Sequence, residues 1–269
     1  MRICDDEGLP TMKLTQTQIE DFNRTGVLFL PEVFTPAEVA RIRAASDRVA
    51  AEDGPNVTPE PNGSAARMVH GAHDYDDVLG AVCRHPRLIE PAEQLLGSGV
   101  YVHQSRLNVN KGLGTGGFYW HQDYATWRDV DGLKDARALM ITVFVDDMDN
   151  TNGPLLYIPG SHSQGVLDDF EPDKDATGNV LMRLSGTKLK ELSDAGGIEV
   201  GTGKAGSVLI MHCNIVHGSS QNISPNSRTL FYVNVTSVEN PQTTFARAPY
   251  HAGRDFTAIV PAPDDVLAA

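Results

Sequence analysis

The chain has 269 residues, 41% hydrophobic and 21% charged, enough for one large domain whose core needs no disulfide staples. Its formal charge of −13 disfavours nucleic acid and anionic membranes as partners, so an anionic small substrate would need a local basic clamp. No apolar run approaches the roughly 18 residues of a transmembrane helix, and the opening MRICDDEGLPTMK lacks the apolar core of a signal peptide. Three widely spaced cysteines (Cys4, Cys83 and Cys213), without a C-x-x-C pair, fit reduced thiols in a cytoplasm.

Residues 1–14 are expected as a flexible tail, followed by a single domain over 15–269. LTQTQIEDFNRTG reads as a short helix closed by Gly26, and VLFL as a strand. In TPAEVARIRAASDRVAAEDG, Thr35 caps, Pro36 takes the first helical position and Glu38 completes a capping box. Val39, Ile42 and Val49 give that helix one apolar face. The Pro-, Gly- and Asn-rich segment 54–66 is expected as a mobile loop. Two helical pieces follow, broken at His85-Pro86 and ended by Gly97.

From Gly99 the pattern turns to period two, in VYVHQSRLN, ALMITVFVDD, GPLLYIPG, GSVLIMH and TLFYVNV. A polar insertion over 165–197 carries a helix at TKLKELSDAGG. A helical part over 15–98 before a strand-rich core over 99–260 points to a mainly β fold, a sandwich or jelly roll flanked by α-helices. There is no GxGxxG and no P-loop, and GLGTGG (112–117) opens no helix, so it reads as a turn.

The chemistry centres on FYWHQDYATW (118–127). In a strand, His121 and Asp123 would point to one face, with Gln122 opposite. A neutral nitrogen beside a carboxylate suits a divalent transition metal, although the pair alone is a weak signal. His217 adds a third donor, completing the two-histidine, one-carboxylate set of non-haem Fe(II) oxygenases. Ten residues separate His217 from Arg228, and a hairpin across NISPNS would bring the two together. A guanidinium there offers a fork-shaped donor for the carboxylate of an iron-chelating keto acid. Gln104, Arg106 and Asn108 share one strand face and line a cavity together. Taken singly, each histidine is more often a strand residue satisfied by a polar neighbour.

These motifs resemble the phytanoyl-CoA dioxygenase (PhyH) superfamily of Fe(II)/2-oxoglutarate oxygenases, most of all bacterial ectoine hydroxylases and free L-proline trans-4-hydroxylases. VYVHQSRLN is similar to the former; MVHGAH (68–73), WHQDY (120–124), NGPLLYIPGSH (152–162) and IVHGSSQNISPNSR (215–228) are similar to the latter. The resemblance implies a double-stranded β-helix (jelly roll, cupin-like) core. It implies Fe(II) on His121, Asp123 and His217, as metal-binding and catalytic residues. It places 2-oxoglutarate on Arg228 and Ser219, with Gln104 and Asn108 in contact, and Trp127 in an aromatic wall. O2 is the oxidant, and ascorbate the expected reductant in vitro. Related halogenases replace the metal carboxylate with Ala or Gly; Asp123 is intact, which favours hydroxylation.

The expected substrate is a small free L-amino acid, proline- or pipecolate-like or linear, with succinate and CO2 as co-products. Ectoine is the alternative, but ectoine enzymes carry an acidic residue where this chain has Ala125. Arg67, His70, Arg106, Trp127 and Arg128 are the candidate substrate residues. RMVHGAH reads equally as a helix-capping turn, Arg128 equally as a solvent-facing cation, and His162 and His212 as structural. Two rivals remain: a jelly-roll binding protein with a structural metal or none, and a cupin-like isomerase or hydrolase that needs no keto acid. Nothing in the sequence speaks to oligomeric state.

Overall fold

The computed structural model describes residues 12–60, 63, 65–113, 117–174 and 180–268. The helices are α1 (Gln16–Thr25), α2 (Pro36–Ala50), α3 (Asp77–Cys83), α4 (Pro86–Leu96), α5 (Asp123–Asp129) and α6 (Gly186–Gly196). The first strands are β1 (Val27–Leu30), β2 (Val57–Pro59), β3 (Ala66–His70), β4 (Val100–Asn108), β5 (Phe118–His121) and β6 (Ala138–Phe144). They are followed by β7 (Leu155–Tyr157), β8 (Phe170–Lys174), β9 (Val180–Leu184), β10 (Glu199–Gly201), β11 (Val208–His212), β12 (His217–Ser219) and β13 (Leu230–Ser237).

An antiparallel seven-stranded sheet runs in the order β1-β11-β6-β13-β4-β3-β2, and a four-stranded sheet runs β10-β7-β12-β5. Together they are the expected jelly roll. Strand alternation divides the large sheet's residues between its two faces. Val69, Leu107, Ile141, Val143, Ile210, Phe231 and Val233 belong to one apolar cluster with Leu79, Leu88 and Ile89 of α3 and α4 and Ile42 of α2. Met140, Phe144, Leu209, Met211, Leu230 and Tyr232 form a second cluster with Leu155 and Tyr157 of the small sheet. The first core lies under the helices and the second between the sheets.

Several local expectations hold for stated reasons. Thr35 and Glu38 exchange backbone and side-chain bonds at the start of α2, and Pro36 follows the cap. Gly26 and Gly97 close α1 and α4 at φ 74° and 64°, conformations costly for a side chain. Other expectations fail. Residues 54–66 are not irregular throughout, because β2 pairs with β3, and β3 with β4. RMVHGAH is therefore strand β3 and a short 3₁₀ turn (Ala72–Asp74), not a helix cap. The expected tail is fastened at Met12 and Leu14, whose N–H groups donate to Glu90 and Gln94 on α4. Residues 1–11 and 114–116, part of the expected tail and of the glycine-rich turn, lie outside the described residues, as do 175–179 of the insertion. Among the described residues, Cys83 and Cys213 are free and buried, and no helix is long and apolar enough to cross a membrane.

Candidate metal centre and co-substrate pocket

The two central histidines meet through strand register. β5 and β12 are antiparallel neighbours in the small sheet, with His121 directly opposite His217 and ring centroids 4.3 Å apart. Asp123 reaches them differently from the expected strand alternation. β5 ends at His121, Gln122 is the cap residue, and Asp123 is the first residue of α5. A carboxylate in a helix's first turn is favourable, because the backbone N–H groups there are unpaired by the helix. Asp123 Oδ1 lies 3.3 Å from His121 Nε2, and one donor atom from each of the three residues falls within 4.8 Å of the others.

Both rings are fixed by their own backbone. His121 Nδ1 contacts the Tyr119 carbonyl at 2.6 Å, and His217 Nδ1 contacts the Ile215 carbonyl at 3.0 Å. A carbonyl only accepts, so each Nδ1 carries a proton, which leaves each Nε2 as the ring atom that can address a metal. Burial and then His121 push the His217 pKa down to about 4. Burial alone would raise that of Asp123, but Arg106, His121 and His217 outweigh it and hold the carboxyl well below the usual range. Two imidazoles and one carboxylate suit a divalent transition metal, and Oδ2 of Asp123 has no hydrogen-bond partner among the described residues.

A pocket holds His121 and His217 of this triad together with Arg228, and is lined also by Arg106, Asn108, Phe118, Leu155, Ser219 and Tyr232. Arg228 is 1% exposed, and its Nε and Nη2 have no partners among the described residues. Burial pushes its pKa below the ordinary value, opposed by Tyr232 and Asp146 and assisted by Arg67. A buried guanidinium without a bonded carboxylate asks for an anionic ligand. The route from His217 to Arg228 is not the expected hairpin: β12 lies in the small sheet and β13 in the large one, so the turn crosses the sandwich. Ser219 accepts the Phe118 N–H at 3.1 Å beside the pocket.

The remaining expected residues divide. Asn108 and Arg106 line the pocket, and Asn108 Oδ1 and Arg106 Nε have no hydrogen-bond partner among the described residues. Gln104 stands two residues further along β4, where its amide donates to the His251 carbonyl and its oxygen accepts from Asn234. His70 lies opposite Arg106 in register, buried, with Nδ1 unpartnered and its ring 4.4 Å from that of His251. Trp127 is buried against His103. Arg67 bonds the Gly117 carbonyl at 2.8 Å and covers the Phe118 ring. Arg128 pairs with neighbouring Asp129 at 2.6 Å, both exposed, and so faces solvent rather than the pocket. Phe118, Leu155 and Tyr232 were not anticipated; Tyr232 was legible, since it alternates with Leu230 on the inner face of β13.

The protein-family model described as phytanoyl-CoA dioxygenase (PhyH) matches residues 22–230. The chain belongs to this family. The ectoine dioxygenase of Bordetella bronchiseptica is 37% identical over 243 residues, covering 87% of this chain and 79% of that protein. The L-proline trans-4-hydroxylase of Streptomyces griseoviridis is 34% identical over 255 residues, covering 91% and 95%. A solved structure of EctD from S. alaskensis with 2-oxoglutarate and 5-hydroxyectoine superposes with a TM-score of 0.80 at 31% identity, covering 91% of this chain and 86% of that one. EctD has also been solved with bound iron. This PhyH member thus shares its fold and enzyme class, an Fe(II)/2-oxoglutarate-dependent dioxygenase, with its relatives.

Proposed function

We propose that this PhyH-family chain hydroxylates a small free L-amino acid or close derivative, with conversion of 2-oxoglutarate to succinate and CO2. The observation that carries the reading is Arg228, a buried cation whose Nε and Nη2 have no partner among the described residues, in the same pocket as His121 and His217. A cationic end and a metal-donor end in one pocket suit a keto acid with a second carboxylate. A bound Fe(II) with 2-oxoglutarate and O2 supplies the oxidation, and ascorbate keeps the iron reduced in vitro. His121, Asp123 and His217 would hold the metal, with each Nδ1 tied to a backbone carbonyl and each Nε2 left to face the ion. Arg228 fixes the far carboxylate with a forked, permanently charged donor, while Ser219 and Asn108 offer neutral hydrogen bonds beside it. Phe118 and Leu155 keep water from the pocket wall.

The substrate end is the region of Arg106 and His70, which stand opposite each other on β4 and β3. Gln104 acts there by fastening the His251 backbone, and Arg67 by fixing Phe118. Burial, Arg106, His251 and Arg247 push the His70 pKa down to about 3, so it offers a neutral imidazole beside a cation. That combination suits a carboxylate-bearing small molecule. Ectoine is the second reading, supported by the 37% identity to an ectoine dioxygenase over 87% of the chain. The test supplies purified protein with Fe(II), ascorbate and 2-oxoglutarate to a panel of L-proline, L-pipecolate, ectoine and linear L-amino acids. Succinate together with one added oxygen on a panel member is expected. Neither signal, with iron verified in the protein, would remove the enzyme reading in favour of a binding protein.

A further inference from the structure

The two oxygens of Asp123 have different surroundings. Oδ1 faces His121 Nε2 at 3.3 Å, inside the donor triad. Oδ2 faces the Arg106 guanidinium, with Nη2 at 3.7 Å, and has no hydrogen-bond partner among the described residues. Arg106 is itself seated: its guanidinium lies over the Tyr232 ring, 4.7 Å from the centroid. Sheet register dictates that contact, since Arg106 on β4 stands directly opposite Tyr232 on β13 and both side chains share the inner face. The Arg106 side chain is 14% exposed, so its charge acts with little screening.

We infer that Arg106, positioned by the Tyr232 ring, holds Asp123 by one oxygen and so leaves the other as the only carboxylate atom available to the metal. The inference rests on the iron and 2-oxoglutarate reading and adds a positioning role to it. A carboxylate binds one cation through either one or both oxygens. Three protein donor atoms leave an octahedral ion three positions, which a chelating keto acid and O2 together require. A second oxygen from Asp123 would take one of those positions. The planar guanidinium suits this task better than an ammonium, because it stacks on the ring while its edge addresses the carboxylate.

Co(II)-loaded protein tests this without turnover. Electronic absorption of the bound ion is recorded under anaerobic conditions, with no keto acid, for wild type, Arg106→Met, Tyr232→Leu and Tyr232→Phe. N-oxalylglycine, an unreactive keto-acid analogue, is then titrated into each. Arg106→Met and Tyr232→Leu are expected to alter the Co(II) spectrum before any analogue is added, and to weaken analogue binding about tenfold or more. Tyr232→Phe keeps the ring and is expected to keep the wild-type spectrum. An Arg106→Met spectrum identical to wild type, even with weakened analogue binding, would overturn the inference, because Arg106 would then act on the ligand directly. A wild-type spectrum in Tyr232→Leu would remove the ring from the chain of contacts, and that variant keeps the test alive should Arg106→Met not fold. Wild-type protein that takes up no Co(II) would remove the metal reading and this inference with it.

Discussion

The two faces of the large sheet are built from the same strands and answer to different demands. Toward the helices, Val69, Leu107, Ile141, Val143, Phe231 and Val233 are fully buried in apolar surroundings. Toward the small sheet, β3, β4 and β13 present His70, Gln104, Arg106, Asn108, Tyr232 and Asn234. His70, Arg106, Asn108 and Asn234 each leave a buried polar atom without a hydrogen bond among the described residues, as do the facing Asp123 and Arg228. Each such atom costs about 1–3 kcal/mol, so together they are comparable to the whole stability of a typical domain. A sheet can carry that cost where its other face is as dry as this one. Stability therefore resides in the helix-side core and in the apolar cluster around Met140, Phe144 and Leu209, and the polar part of the inner face is shaped for a ligand the protein alone does not satisfy.

The contrast implies that variants of the polar inner-face residues fail in function while outer-face variants fail in folding. Asp123→Ala should make the largest difference, lowering 2-oxoglutarate turnover by about a thousandfold or more while thermal unfolding stays near wild type. Succinate release and a melting curve read the two quantities, and turnover within tenfold of wild type would take Asp123 out of the site. Phe231→Ala should do the reverse. It removes a ring from the helix-side core at a cost of about 3–5 kcal/mol, seen in denaturant titration, with the KM for 2-oxoglutarate unchanged. Arg228→Ala sharpens the contrast, because its two effects have opposite signs. KM for 2-oxoglutarate should rise about 100-fold with iron still bound, while the ligand-free protein is no less stable, since a buried unpaired charge is gone. An unchanged KM with lowered stability would make Arg228 a structural residue.

Legibility in the sequence follows the same division. The helix-side face is written in local pattern: apolar runs mark β4, β6, β11 and β13, and Thr35, Pro36 and Gly97 mark helix ends. The residue types of the inner face were equally plain, but their backbone settings were not. His-Gln-Asp fits a strand and a helix start alike, and only the end of β5 pairing at His121 makes Asp123 a helix residue. β2 and β3 were hidden among Pro, Gly and Asn because their hydrogen bonds come from each other and from β4, not from propensity. The approach of Arg228 to His217 spans two sheets, so no hairpin rule describes it. The Asp123–Arg106–Tyr232 contact joins α5, β4 and β13 and exists only in the packed molecule.

The smallest effect tests whether the faces are independent. Thr35→Ala removes the side-chain oxygen that accepts the Glu38 N–H at the start of α2. Typical losses of this kind are about 1 kcal/mol. The value should fall at or below that here, because the other half of the box survives: Glu38 still accepts the Thr35 N–H at 2.7 Å and is held by Arg87 at 3.0 Å. Arg87 is in turn anchored by Asp264, so the helix start keeps a fixed acidic cap. α2 contributes to the apolar cluster on the helix side and to none of the pocket residues. KM for 2-oxoglutarate and N-oxalylglycine binding should therefore be unchanged within error, while the unfolding midpoint drops slightly. A shift of threefold or more in either ligand parameter would mean that strain at the helix layer reaches the inner face through the sheet, and that the division between the two faces is not an energetic one.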